Sequence, residues 1–167
     1  FGTGELRFEG HLRRRPGEWY LDGEFSSASA TILERRFRAI SGSVFGDQSA
    51  MRFEIASGSY DSGKVTGLVV MPIEEADTAP VEIELELAGV PLSRLLDDQG
   101  IPVRGLSATV SGGFNYQFQR ARPGAGNGWA DLRATPEDGD TSGVSVAGAA
   151  PLSIGAGVVR TSAIRLV

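Results

Sequence analysis

Few residues of this 167-residue chain could carry out chemistry, and none of them stands in a recognisable catalytic motif. His11 is the only histidine, so a Ser/His/Asp triad would have to use it, yet no Gly-x-Ser-x-Gly sequence presents a nucleophile. The chain has no cysteine, which excludes disulfide bonds, thiolate metal sites and a cysteine nucleophile. We therefore expect His11 to be a surface residue on the polar face of a strand.

Three other groups of residues have some features of a ligand site. The glycine-rich run at residues 124–128 lacks the lysine and the following helix of a P-loop. Residues 137–140 (EDGD) are acidic but lack the ligand spacing of a known calcium loop. Asp97 and Asp98 are adjacent on a predicted helix, where neighbouring side chains point apart. We predict no metal site, no cofactor and no enzymatic activity.

The strongest structural signal is the alternation of apolar and polar residues. In residues 81–87 (VEIELEL) four apolar residues alternate with three glutamates, and residues 106–118 repeat this alternation with a glycine pair, Gly112 and Gly113, in the middle. Neighbouring side chains of a strand point to opposite faces, so each such strand has one apolar and one polar face. About ten strands joined by short turns predict a mostly β fold, an antiparallel meander, in which the glycine pair marks a bulge or bend.

Two local predictions complete the outline of the fold. Residues 91–99 are predicted to form one short helix, with proline at its first position, Gly100 just past its end and a stripe of three leucines that caps one end of the sheet. Residues 28–36 and 37–45 are predicted to form two separate strands of a hairpin.

Composition narrows the class of protein further. The chain is 41% hydrophobic and 22% charged, which fits a single folded segment, and no apolar run approaches the roughly 20 residues of a membrane-spanning helix. Its net charge of −5 gives no electrostatic reason to expect nucleic acid as a partner. Since the sequence begins without methionine, we expect residues 1–167 to be one β-rich segment, an internal piece of a longer repeat protein.

Several segments resemble one family. Residues 81–116 (VEIELELAGVPLSRLLDDQGIPVRGLSATVSGGFNY) and 148–167 (GAAPLSIGAGVVRTSAIRLV), together with LDGEF at 21–25 and ISGSV at 40–44, resemble the periplasmic repeats of TamB and the wider AsmA-like proteins of the bacterial envelope. The resemblance implies a sheet curled into a half-pipe (a β-taco) or open barrel with an apolar concave face. It also implies a parent protein that is anchored in the inner membrane and crosses the periplasm.

Proteins of this family are implicated in phospholipid transport to the outer membrane and in assembly of outer-membrane proteins and autotransporters. The expected partners are therefore phospholipid or another acyl-chain ligand and, through the parent chain, an outer-membrane assembly protein. No residue of this sequence can be assigned to membrane anchoring or to partner docking. The candidate groove lining comprises the large apolar residues that share one strand face: Phe8, Trp19, Leu21, Phe25, Phe53, Ile55, Ile83, Leu85, Leu87, Val110, Phe114, Tyr116 and Phe118.

Three alternatives remain open from the sequence. The apolar faces could meet in the sealed core of a structural or interaction β-sandwich. They could face lipid in a fragment of an outer-membrane barrel, although the aromatic residues form no paired girdles. An enzyme is the third alternative. Replacing Leu85 with aspartate should abolish lipid cross-linking in a groove but prevent folding in a sealed core.

Overall fold

The computed structural model of the chain describes residues 2–32, 34–73, 79–98, 100–101, 105–137, 144–156, 158–161 and 165–166, with the backbone alone at residues 2, 144–145 and 165–166. These residues form thirteen strands, one α-helix and one 3-10 turn (Pro123–Ala125). In chain order the elements are β1 (Gly2–Gly4), β2 (Arg7–Arg15), β3 (Glu18–Ile32), β4 (Arg35–Asp47), β5 (Ala50–Tyr60), β6 (Gly63–Pro72), β7 (Val81–Pro91), α1 (Leu92–Asp97), β8 (Leu106–Phe118), β9 (Asn127–Pro136), β10 (Val144–Ser145), β11 (Gly148–Gly155), β12 (Val158–Thr161) and β13 (Arg165–Leu166).

The strands form one open sheet in which sequence neighbours pair as a meander. The order is β1-β3-β4-β5-β6-β7-β8-β9-β11-β12, with β2 also on β3 and β13 also on β11. Every described pairing is antiparallel except the two-residue contact between β10 and β8. The sheet does not close into a barrel, and the prediction of a mostly β antiparallel fold with a single short helix is confirmed.

The long strands are creased in the middle. The register of β4 with β5 shifts on either side of Ser41, that of β5 with β6 shifts between Ile55 and Ser59, and that of β7 with β8 shifts between Leu87 and Val90. A β-bulge bends its strand and strengthens the local twist. Irregularities in several neighbouring strands therefore bend the sheet as a whole.

The bend is deep enough to bring distant strands together. Ile32 on β3 and Leu85 on β7 line the same small void, although three strands lie between them in the sheet. With neighbouring strands about 4.8 Å apart, a flat sheet would separate these residues by roughly 19 Å. The apolar face is therefore concave, as in the half-pipe that the family resemblance implies.

The predicted hairpin of residues 28–36 and 37–45 is wrong. Instead β3 runs without interruption to Ile32, β4 begins at Arg35, and the chain reverses beside Glu34, which has a left-handed φ of 67°. The alternation breaks at Ala28 and Ala39, which lie at the crease, and Ala39 has a φ of 48°. A break inside a strand gives the same sequence signal as a strand boundary, since both interrupt the two-residue period.

The bulge expected at the glycine pair lies on the neighbouring strand. The pairing of β8 with β9 continues without a shift through Gly112 and Gly113, whereas β7 carries the irregularity and Gly89 there has a φ of 69°. Gly112 itself has a φ of 142°, and a Cβ at this position would lie 2.0 Å from the carbonyl oxygen of Asp131. This glycine is therefore required by close contact with β9.

Helix α1 lies within the predicted residues 91–99 and ends as expected. Gly100 adopts a left-handed φ of 72°, and the backbone N–H of Ile101 donates to the carbonyl of Leu96 at 3.0 Å, which closes the last turn. Leu95 packs against the apolar core. The Arg35 guanidinium at the start of β4 donates to the backbone carbonyl of Asp98 at 2.6 Å, which ties the helix across the curled sheet.

Candidate functional site

The residues considered for chemistry lie apart in the structure and have structural or surface roles. His11 is exposed on β2, with its Nδ1 atom 3.8 Å from the Asp22 carboxylate. The Asp98 carboxylate faces two arginines, Arg94 at 3.3 Å and Arg35 at 3.7 Å. In the described part of the chain, no group of three His, Cys, Asp or Glu side chains could hold a metal ion. Residues 138–140 of the acidic run lie outside the described residues.

The glycine-rich loop at residues 124–128 fixes an aromatic side chain. The hydroxyl of Tyr116 donates to the carbonyl of Pro123 at 2.7 Å and accepts a hydrogen bond from the backbone N–H of Gly126 at 3.1 Å. A Cβ at Gly126 would lie 2.6 Å from the Tyr116 ring, so glycine lets the loop close over it. The loop therefore positions a core residue and satisfies its buried hydroxyl.

The candidate groove lining divides by burial into a centre and a margin. The buried centre consists of seven of the thirteen residues, which are Phe25, Ile55, Ile83, Leu85, Val110, Tyr116 and Phe118. Four half-buried residues pack against this core, namely Leu21, Phe53, Leu87 and Phe114. Trp19 is half-buried and Phe8 is exposed. Their assignment as lipid contacts stays a prediction.

The register explains why these residues share one face. Across the sheet, Ile83 pairs with Val69 on one side and with Tyr116 on the other. Leu85 pairs with Phe114 in the next row. Because directly opposed residues in paired strands lie on the same face, the row continues from strand to strand. The aromatic rings of Phe114 and Tyr116 stack with centroids 6.1 Å apart, which extends the apolar surface along β8.

Sequence reasoning missed part of the core on β4, β6 and β7. Val44, Val65 and Val90 are among the largest fully buried side chains, and none was assigned to the apolar lining. The available signal was the pattern apolar-x-Gly-x-apolar, seen in residues 40–44 and 65–69. In this pattern glycine occupies the core face where backbones approach, since a Cβ at Gly42 would lie 1.8 Å from the carbonyl oxygen of Glu54.

The bend of the concave face is filled by its own side chains. The void lined by Ile40, Ile55, Val69, Ile83 and neighbouring residues has a volume of about 10 Å³. A volume of this size is close to the minimum for a single water molecule. The centre of the sheet therefore has no room for an acyl chain in this conformation.

Towards its two ends the same apolar face is uncovered. On β2, Phe8 pairs with Phe25 and Leu12 pairs with Leu21, so both β2 residues extend the core face, but they are 42% and 67% exposed. At the opposite end Val159 on β12 pairs with Ile154 and is 55% exposed. The apolar face thus continues past the filled bend at both edges of the sheet.

The opposite face of the sheet is polar and acidic in its middle. Glu82, Glu84 and Glu86 on β7 are exposed, and the Gln117 amide of β8 lies 3.5 Å from the Glu82 carboxylate. The three glutamates of β7 therefore face water, where the repulsion between like charges is screened.

Comparisons with protein-family models, with curated proteins and with solved structures found no match to this chain. Among the described residues, no helix is both long enough and apolar enough to cross a membrane.

Proposed function

We propose that this chain is a non-catalytic lipid-handling segment that contacts acyl chains on the uncovered ends of its concave apolar face. The observation that carries the proposal is the continuation of the apolar row beyond the core onto the edge strand β2. Leu12 and Phe8 share the face of the buried residue Phe25 yet remain exposed to solvent. Contiguous exposed apolar surface is typical of ligand-binding grooves and of protein or membrane interaction sites.

The energetics suit a ligand that moves along the sheet. Each methylene group transferred from water to an apolar surface contributes about 0.8 kcal/mol, and the attraction has no preferred direction. An acyl chain lying across Leu12 and Phe8 would therefore be attracted without being fixed in register. Because the bend is filled, the contacts with lipid are assigned to the two edges, and the buried residues act as the wall that holds the curvature.

The resemblance to TamB and AsmA-like proteins supports the same function. On this proposal the chain is one part of a longer trough in the periplasm, in a parent protein anchored in the inner membrane. Its cargo would be phospholipid on its way between the inner and outer membranes. Assembly of outer-membrane proteins, including autotransporters, would involve an outer-membrane partner of the parent protein.

A second candidate is a structural or interaction module with a sealed core. It is favoured by the void of about 10 Å³ at the bend and by side chains such as Ile83 that are fully buried there. In this alternative the exposed apolar residues of β2 bind no lipid, and the sheet serves only as a scaffold.

Site-specific cross-linking separates the two candidates. A photoreactive residue is placed at position 12 on the apolar face or, as a control, at position 117 on the polar face, and the purified protein is incubated with vesicles of phosphatidylethanolamine and phosphatidylglycerol. Lipid adducts at position 12 and none at position 117 are expected. Adducts at neither position, or equal amounts at both, would contradict the proposal.

A matched pair of variants tests the same surface without loss of folding. Leu12→Asp should reduce lipid capture several-fold at an unchanged melting temperature, because the side chain is already largely exposed. Thr66→Asp adds the same charge to an exposed position of the polar face and should leave lipid capture unchanged. Leu85→Asp is uninformative about lipid, since a carboxylate in this buried position is expected to prevent folding.

A further inference from the structure

In the part of the chain that the structure describes, strand β2 forms a long edge of the sheet. Its nine residues are all exposed, and within the described residues β2 pairs only with β3. The other edge strands are short, with three residues in β1, four in β12 and two in β13. Short edge strands discourage pairing with another chain, whereas a long one offers a row of free backbone N–H and C=O groups. Strand β2 is therefore the edge that is open to pairing.

The side chains of β2 give this edge a chemical preference. Its register with β3 places Phe8, Leu12 and Arg14 on the core face. The opposite face carries Arg7, Arg13 and Arg15 together with Glu9 and His11. In the described part of the structure, none of these arginines forms an ion pair, and the only ion pair of β2 joins His11 to β3. An incoming strand would thus meet Phe8 and Leu12 on one face and, on the other, three arginines without ion pairs against a single glutamate.

We infer that the free edge of β2 binds an extended segment of another polypeptide in which apolar and acidic residues alternate. The backbone of the segment would add one strand to the sheet, which is the geometry of β-strand addition. Its apolar residues would continue the core face beside Leu12, and its carboxylates would lie directly across from Arg13 and Arg15. Opposite charges in directly opposed positions stabilise a strand pair, and like charges destabilise it.

Charge distinguishes this partner from two other candidates. A second copy of this chain would offer its own β2, whose four arginines outnumber its single glutamate, or the short strands β12 and β13, which carry Arg160 and Arg165 and no acidic residue. Neither edge supplies enough carboxylates to complement the arginines of β2. A broad anionic membrane surface would also meet Glu18, Asp22 and Glu24, which lie beside β2 on the same face of β3. A strand paired with β2 would lie on the side of the arginines that faces away from these carboxylates of β3.

A peptide from this protein provides the probe. The sequence Val-Glu-Ile-Glu-Leu-Glu-Leu of residues 81–87 alternates in the required way, and an analogue with lysine in place of each glutamate keeps the apolar half and reverses the charge. Binding of each labelled peptide is measured by fluorescence anisotropy, and amide protection on β2 is measured by hydrogen exchange. The acidic peptide should bind about fivefold or more tightly than the basic one, since each exposed ion pair changes affinity by roughly 1.5- to 5-fold.

Variants establish the location of binding. The double variant Arg13→Glu, Arg15→Glu should reverse the preference towards the lysine peptide, because β2 is exposed and its folding does not depend on these side chains. Arg133→Glu is the control, because Arg133 is equally exposed but lies on β9, which is paired with a strand on each side. This variant should leave the preference for the acidic peptide unchanged. Alternate amides of β2 should become protected when the acidic peptide binds, as strand pairing requires.

Three outcomes would overturn the inference. The first is equal affinity for the two peptides, or binding without protection of β2 amides. The second is a dimer of this chain that protects β2 and excludes the peptide. The third is protection of β2 by anionic phospholipid vesicles but not by the acidic peptide, which would assign the surface to a membrane. None of these results depends on whether acyl chains bind the concave face, so the inference and the proposed function fail separately.

Discussion

Strands β7 and β2 carry similar alternating patterns but have opposite environments. In β7 the apolar residues Val81 and Ile83 are 0% and 1% exposed, whereas in β2 the equivalent face presents Leu12 at 67%. Strand β7 has a neighbour on each side and lies in the bend, while β2 has one neighbour and lies at the edge. The comparison shows that alternation determines which face of a strand is apolar, and that position in the curled sheet determines whether this face is buried.

The largest effect is expected from truncating the buried row. Ile83→Ala should reduce the free energy of unfolding by about 2–5 kcal/mol, because it removes a fully buried side chain from a packed interior. The matched change on the edge strand, Leu12→Ala, should change it by no more than about 0.5 kcal/mol. Urea denaturation of both variants measures the difference, and equal losses would show that the edge is as well packed as the bend.

A smaller loss of stability is expected on the core face where two strand backbones are in close contact. Gly42→Ala should destabilise the fold by about 1–3 kcal/mol, because the added methyl group would overlap the carbonyl oxygen of Glu54. Gly124→Ala, with no atom within 4 Å of the new Cβ, is the control and should be close to neutral. Thermal denaturation compares the two, and a neutral Gly42→Ala variant would mean that β4 and β5 can separate at little cost.

Loss of the contact between Arg35 of β4 and Asp98 at the end of α1 should have a moderate effect on stability. Arg35→Ala removes the hydrogen bond to the Asp98 carbonyl and the nearby charge, and is expected to cost about 1–3 kcal/mol. The change should show first as faster amide exchange in α1, since the helix would lose its link across the sheet. Arg36→Ala changes an exposed neighbour and serves as the control. Equal amide exchange in the two variants would show that Arg35 does not hold the helix in place.

The smallest effect concerns the exposed turn between β4 and β5. Hydrogen bonds from the Ser49 hydroxyl and from the backbone N–H groups of Ser49 and Ala50 lower the pKa of Asp47 below its ordinary value of 3.8. A lowered folded-state pKa contributes stability above the unfolded pKa, and this contribution disappears as the pH falls through the folded value. Ser49→Ala should raise the Asp47 pKa in an NMR titration, and an unchanged pKa would show that the backbone bonds alone determine it.

The sequence was sufficient to predict the central strands and the helix but not the crease. Strict alternation in residues 81–87 identified a strand with one apolar face, and the proline and glycine around residues 91–99 identified the helix. The crease instead suggests a strand boundary at Ala28, because a bulge depends on the register between strands and one strand's sequence does not contain that information.

The candidate site was predictable in part for the same reason. The alternation correctly grouped Phe25, Ile83 and Tyr116 on one face. It could not distinguish these residues from Phe8, which belongs to the same face but lies on an edge strand. Burial at a given position depends on how many strands are added beyond it and how tightly the sheet curls, and both are properties of the whole chain.

The crease also sets a length for anything that pairs with the edge. Strand β2 begins at Arg7, and on its N-terminal side the chain next pairs with β3 at Gly4. Between these two residues the pairing is interrupted, and the Ser27 hydroxyl donates to the carbonyl of Glu5 at 2.7 Å. A straight partner strand can therefore follow the edge for nine residues, or roughly 30 Å, before it too must bend. The length of β2 therefore favours the binding of short extended segments over long ones, whatever their charge.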